Sequence, residues 1–173
     1  MKRLAVAFAL FTAVFTVFYL YGWNWALPFA ITFGTCFYHF AMRLLVGHLL
    51  NHFMNNHADY SNRWYQLRPF EVKLYQTLQV KKWKGNMPTY DPSCFDPKLH
   101  SWDEIAQAMC QAEVVHEIII VLSFLPLLAA IPFGTFGVFL ITSVLSAGYD
   151  LCFVIIQRFN RPRIIRFIEK ERA

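Results

Sequence analysis

The chain has 173 residues, of which 57% are hydrophobic and 16% charged, and its formal net charge is +5. A water-soluble domain is nearer about 25% charged, so the composition excludes an ordinary soluble enzyme, and the length suits one domain rather than several. The basic excess does not point to nucleic acid, because the Lys and Arg residues flank apolar runs, where they also meet anionic lipid headgroups.

Lys2 and Arg3 precede an apolar run from Leu4 to Tyr21. A spanning helix needs about 20 apolar residues. The run is long for a signal peptide and ends in Tyr19, Tyr21 and Trp23 rather than in small residues, so it reads as a retained anchor with an aromatic belt. Trp25 to about Leu45 forms a second apolar run, with a helix expected to continue through Asn55. Residues 56–105 are polar. Phe70, Leu74 and Leu78 recur there at helical spacing and predict a short amphipathic helix from Pro69 to Val80, suited to a membrane surface. Gly85 to Pro97 contains Pro88, Pro92 and Pro97 and reads as loop. A helix is expected to begin near Ser101, with Asp103 and Glu104 in its first turn, where the helix dipole favours negative charge. It leads into a third apolar run, and a fourth ends near Gln157. Pro162 is expected to end or redirect that helix.

The fold class that follows is an all-α integral membrane protein. It has four transmembrane helices, at about 4–21, 25–45, 114–133 and 136–157, and a cytoplasmic amphipathic insert at about 56–105, within a single membrane domain over 1–173. Every Lys and Arg falls at the start, in the insert, at the inner end of the second run or at the close of the chain. The turns around Gly22-Trp23-Asn24 and Pro132-Phe133-Gly134 carry no charge. Cytoplasmic loops collect Lys and Arg, which puts both termini and the insert in the cytoplasm. Cys94 and Cys110 then face a reducing compartment and are expected as free thiols.

Polar residues inside spans are costly and therefore informative. Glu113 and Glu117 flank His116 on one helical face. A carboxylate beside an imidazole raises its basicity, as a general base for a hydroxyl nucleophile requires. The same residues also suit interface polar groups bonded to neighbouring helices. A single Glu-x-x-His is only half of a di-iron pattern, and no metal site is expected. Ser143, Ser146, Asp150 and Gln157 form one stripe along the fourth run, either for helix packing or for chemistry, with Asp150 the ionisable member. The segment Gln157-Arg158-Phe159-Asn160-Arg161-Pro162-Arg163 offers guanidinium forks that suit phosphate or carboxylate, although juxtamembrane Arg clusters also mark the inner face. His39 and Arg43 lie one turn apart. His48, Asn51, His52 and Asn55 continue a polar stripe without a convincing third metal ligand.

Three segments, in this order, resemble a known family. They are Leu78-Gln79-Val80-Lys81-Lys82-Trp83-Lys84, Glu113-Val114-Val115-His116, and Gln157-Arg158-Phe159-Asn160-Arg161-Pro162-Arg163. They look like the K/R-x-W-K, E-x-x-H and Q-R-Y/F-N-R-P-R segments of the glycosyl-4,4'-diaponeurosporenoate acyltransferases, small bacterial membrane proteins of staphyloxanthin-type carotenoid synthesis. The likeness covers about residues 65–168. It implies esterification of a sugar hydroxyl of a glycosylated carotenoid, or a related lipid, at the bacterial cell membrane. The acyl donor would be acyl-CoA or acyl-carrier protein, with no bound cofactor.

Combined with the residues, the resemblance casts His116 as base, tuned by Glu113, with Asp150 a further catalytic candidate. Arg158, Arg161 and Arg163, with Lys81, Lys82 and Lys84, would hold the donor's phosphates, and Gln157 and Asn160 would join in substrate binding. Trp83 would anchor that segment at the interface, and His52 would contribute to substrate binding. The partners are membrane lipids, a lipid acceptor and an acyl donor; a homodimer would supply further walls. Two other classes compete: a non-enzymatic lipid-binding or accessory subunit, and an isoprenoid-lipid methyltransferase, for which no cofactor fingerprint is visible.

Overall fold

The computed structural model describes residues 1–88 and 92–173; the part of the predicted proline-rich loop at 89–91 lies outside the described residues. Helices dominate, and no strand occurs among the described residues. In chain order they are α1 (Lys2–Leu20), α2 (Leu27–Met54), α3 (Pro69–Thr77), α4 (Val80–Trp83), α5 (Trp102–Leu122), α6 (Ala130–Phe133) and α7 (Phe136–Arg172). Among the described residues, four segments are long and apolar enough to cross a membrane: α1, α2 with the 3₁₀ turn before it, the stretch from α5 through α6, and α7.

Local chemistry explains the boundaries. Tyr21 and Gly22 close α1, and Gly22 sits at φ +91, a conformation that glycine adopts without a Cβ clash. The α2 helix stops at Met54, one residue short of the expected end, because Asn55 and Asn56 both turn left-handed, as Asn tolerates. Pro69 opens α3 at a position whose N–H has no helical partner. The Glu71 carboxylate reaches back to accept the Arg68 N–H at 2.7 Å. The segment expected as one helix from Pro69 to Val80 is two, since Gln79 at φ 50 breaks it before α4. Ser101 caps α5: its N–H donates to Glu104 Oε2 at 2.8 Å, and its Oγ accepts the Glu104 N–H at 3.3 Å.

Pro162 does not end α7, which continues to Arg172. A proline inside a helix removes one i to i−4 hydrogen bond. Here the turn that loses it is held from outside by the side chains of Arg158 and Arg161, described below.

The chain divides into two compact units. One comprises residues 1–49 and 118–150, and the other residues 50–117 and 151–173. The first is largely apolar on its surface and packs aromatic rings between its first two helices. Phe8, Phe11, Phe15, Phe29, Phe33 and Phe40 interleave between α1 and α2, with Phe15 stacked on Phe29 and Phe11 on Phe33 at 5.1 Å between centroids. Offset aromatic pairs of this kind add about 0.5–1.5 kcal/mol each beyond area burial. Its outward-facing side chains include Leu10, Val121, Ile131 and Leu145, all more than half exposed. An apolar exterior of that kind is what lipid tails contact. The second unit carries the insert. Along α3 and its C-cap, Phe70, Leu74 and Leu78 are exposed, while Glu71 and Tyr75 are buried.

Candidate functional site

In the second unit two carboxylates and two guanidiniums meet out of water. Glu113 is fully buried, Arg161 is 1% exposed, and Glu71 and Arg158 are buried with them. Arg158 Nε donates to Glu71 Oε1 at 2.6 Å and its Nη2 to Glu71 Oε2 at 2.9 Å, a bidentate fork. Its Nη1 donates to Glu113 Oε1 at 2.6 Å. The other Glu113 oxygen accepts from Arg161 Nη2. Two positive and two negative groups balance, which is the condition for keeping charges buried.

The insert wraps this cluster. Arg158 donates to the carbonyls of Trp64 at 2.9 Å and Gln66 at 3.0 Å, and Arg161 to that of Tyr65 at 2.6 Å. Three consecutive carbonyls can serve because residues 63–65 form only a single 3₁₀ turn. The Tyr65 ring lies under the Arg161 guanidinium at 5.1 Å. Tyr75 donates its hydroxyl to Glu71 Oε1 at 2.9 Å. Burial alone would push the Glu71 carboxyl up, but the hydrogen bonds from Arg158, Arg68 and Tyr75 outweigh it and hold the group below the usual glutamate range. Burial, then the Glu71 carboxylate, pushes the Tyr75 hydroxyl up to about 12.

His116 is half-buried in the same unit, its ring flat on Phe153 at 4.6 Å. Glu117 accepts the indole N–H of Trp64 at 2.9 Å. A basic group lies around Phe159, with the Lys84 ammonium 5.1 Å and the Arg163 guanidinium 4.8 Å from the ring centre. Lys84 Nζ also donates to Asn160 Oδ1 at 2.5 Å. Burial, followed by the charges of Arg163 and Lys81, holds Lys84 below the usual lysine range. Lys81, Lys82 and Arg163 are exposed, Gln157 is half-buried, and the Trp83 indole donates locally to the Leu78 carbonyl at 3.0 Å. His52 is exposed beside Phe53. No group of three or more metal-ligating side chains occurs among the described residues.

The first unit has its own buried charges. Arg43 grips Asp150 through Nε at 3.0 Å and through Nη2, which also donates to Ser146 Oγ at 2.8 Å. Ser146 and Ser123 exchange a hydroxyl hydrogen bond at 2.9 Å. Asp150 is fully buried. The polar stripe of the fourth run is therefore tied, at Ser146 and Asp150, to a cation of the second run.

The structure thus brings together Glu113, Arg158 and Arg161 as one network, groups Lys84, Asn160 and Arg163 around Phe159, and sets Asp150 against Arg43. Glu71 and Tyr75 did not emerge from the sequence. Their signal was a glutamate three residues after Arg68 and two after Pro69, the pattern of a reciprocal helix cap, whose carboxylate here continues on to Arg158.

Residues 61–170, well over half of the chain, match one protein family, described as glycosyl-4,4'-diaponeurosporenoate acyltransferase. The match takes in the wrapped carbonyls, Glu71, Glu113, His116 and the whole Gln157–Arg163 segment. No curated protein and no solved structure matches the chain significantly. With that span matched, the chain belongs to the glycosyl-4,4'-diaponeurosporenoate acyltransferase family.

Proposed function

We propose that the chain is a membrane-embedded O-acyltransferase that esterifies a hydroxyl of a glycosylated carotenoid or related lipid at the cytoplasmic face of a bacterial membrane. The observation that carries this reading is the half-buried imidazole of His116, borne on the helix turn that Glu113 ties to Arg158 and Arg161, within the segment matched to the family. Such a network immobilises the backbone that carries the base, and positioning is a large part of acyl transfer.

In the reaction, His116 takes the proton of the acceptor hydroxyl as its oxygen attacks the carbonyl carbon of an acyl thioester, carried by coenzyme A or acyl-carrier protein. The tetrahedral adduct expels the thiolate, the ester C–O bond remains, and the proton passes from His116 to the departing sulfur. Arg158 and Arg161 already face carboxylates, so in this reading they position. The exposed Lys81, Lys82 and Arg163, with Lys84, meet the donor's phosphate. Asp150 is the second ionisable candidate for proton transfer, with Arg43 balancing its charge.

His116→Ala and His116→Gln should each lower turnover of a labelled acyl thioester by about 10²-fold in purified protein that elutes and melts like wild type. Near-normal transfer by either variant would return His116 to a structural role and favour the accessory-subunit reading.

Orientation follows from the distribution of Lys and Arg. A cysteine placed at Asn62 should resist an impermeant thiol reagent in intact cells and react after permeabilisation. Labelling in intact cells would reverse the assignment.

A further inference from the structure

Helix α3 presents two different faces. On the inner one, Glu71 accepts from Arg158 at 2.6 Å and Tyr75 is buried beside it. On the outer one, Phe70, Leu74 and the C-cap residue Leu78 follow at one-turn spacing and are 61%, 44% and 44% exposed. Three large apolar side chains in a row are unfavourable in water, and contact with an apolar phase removes that cost.

Charge and depth restrict what that phase is. From residue 63 to residue 88 the only acidic side chain is Glu71, which is buried, whereas Arg63, Arg68, Lys73, Lys81 and Lys82 are all exposed. The outer surface of this segment therefore carries only positive charge. A second copy of the chain, docked face to face, would set these cations against their own counterparts. A helix of nine residues, about 13 Å long, also offers far less than the roughly 1,000 Å² that a stable protein interface buries. An anionic lipid surface suits both features: apolar side chains enter the boundary between headgroups and acyl chains, and cations meet the headgroups. The depth agrees. Arg158 follows directly on the fourth apolar run, which ends near Gln157, so its hydrogen bonds to Glu71 hold α3 at the level where that run leaves the hydrocarbon. We infer that α3 lies in the headgroup region of an anionic leaflet, with Phe70, Leu74 and Leu78 among the first methylenes and Lys73 at the phosphates. The inference goes beyond acyl transfer and does not depend on it.

The test uses the full chain in vesicles with the same lipid in both leaflets, so its outcome does not depend on which way the chain inserts. A benzophenone amino acid placed at Leu74 records by photocrosslinking what covers that position. In phosphatidylcholine containing phosphatidylglycerol, the mass of a phospholipid should appear on the peptide that holds position 74. In phosphatidylcholine alone the yield should fall about fivefold, the factor that one cation near an anionic surface contributes. Phe70→Glu should lower the yield in the anionic vesicles about tenfold, as loss of one large apolar side chain from the seat implies. The same probe at Gln76, exposed on the opposite side of the helix, should give about tenfold less lipid adduct than at Leu74. Absence of a lipid adduct at position 74 overturns the seat, and so does a crosslink to a second copy of the chain in its place. Equal yields at 74 and 76, or equal yields with and without phosphatidylglycerol, overturn it as well. Where the chain probed at Leu74 does not fold, the probe at Leu78 makes the same measurement.

Discussion

The two units bury charge in different ways. In the first, one cation faces one anion, Arg43 on Asp150, and the other guanidinium donors go to the Ser146 hydroxyl and, at 3.1 and 3.2 Å, to the helical carbonyls of His39 and Ser146. In the second, Glu71, Glu113, Arg158 and Arg161 form a neutral foursome that also takes three backbone carbonyls. The difference follows from the backbone. Within continuous helices the carbonyls are already committed to intrahelical hydrogen bonds, so Arg43 shares those of His39 and Ser146 and relies on the Asp150 carboxylate and the Ser146 hydroxyl for its shorter contacts. An irregular insert leaves carbonyls free, and a guanidinium with five N–H donors can collect them. The first cluster ties two helices together. The second folds a loop onto two helices and sets the turn that carries His116.

The comparison predicts a ranking of damage. Glu113→Gln leaves two guanidiniums facing each other without their shared anion and should cost about 3–5 kcal/mol, read as a lowered melting temperature in detergent. Protease sensitivity should rise first near residues 64–66, whose carbonyls depend on the same guanidiniums. A variant that melts like wild type would show that the foursome is not what holds the insert.

The simple pair should behave differently. Asp150→Asn should cost about 3 kcal/mol, because Arg43 is then left buried with its charge unbalanced. The double replacement Arg43→Met with Asp150→Leu should return to within about 1 kcal/mol of wild type, since an apolar pair of similar volume often substitutes for a buried ion pair. Measuring transfer in the same proteins sharpens the assignment. If the double variant is stable and inactive, Asp150 or Arg43 takes part in chemistry; if it is stable and active, the pair is a fastener.

How much of this was legible in the sequence depended on range. The spans followed from apolar runs, and the start of α5 from Ser101, Asp103 and Glu104, because each signal lies within one or two helical turns. The partners of the polar residues did not follow. Arg43 and Asp150 are 107 positions apart, and nothing in either neighbourhood names the other. Glu71 was passed over because Phe70, Leu74 and Leu78 drew attention to the apolar face of an amphipathic helix; Glu71 lies inside, held by Arg158, a partner 87 positions away that no local pattern names. Pro162 misled for the same reason: local propensity ends a helix there, but flanking arginines anchored at long range carry it through.

The smallest effect comes from the edge of the foursome. Tyr75 is buried and donates to Glu71, and its hydroxyl is raised from 10.0 to about 12. A folded-state value above the unfolded one means that the native protein holds the proton more tightly. The stabilisation is complete below the unfolded value near 10.0, and it is lost as pH rises through the folded value near 12. Tyr75→Phe removes both the hydrogen bond and its titration. At neutral pH it should cost about 1 kcal/mol, the ordinary net worth of one buried hydrogen bond. Between the two values the wild-type advantage over the variant should shrink as pH rises, and above them the phenylalanine protein should be the more stable of the two, because it has no hydroxyl to ionise beside a carboxylate. Glu71 supplies the opposite slope at acid pH. Its carboxyl is held low, so its contribution is present above the ordinary glutamate range and fades as pH falls through the depressed value. Melting temperatures of wild type and Tyr75→Phe across alkaline buffers, with tyrosinate absorbance followed in parallel, check the crossing. Parallel melting curves would detach Tyr75 from Glu71 and reduce the foursome to its four charged members.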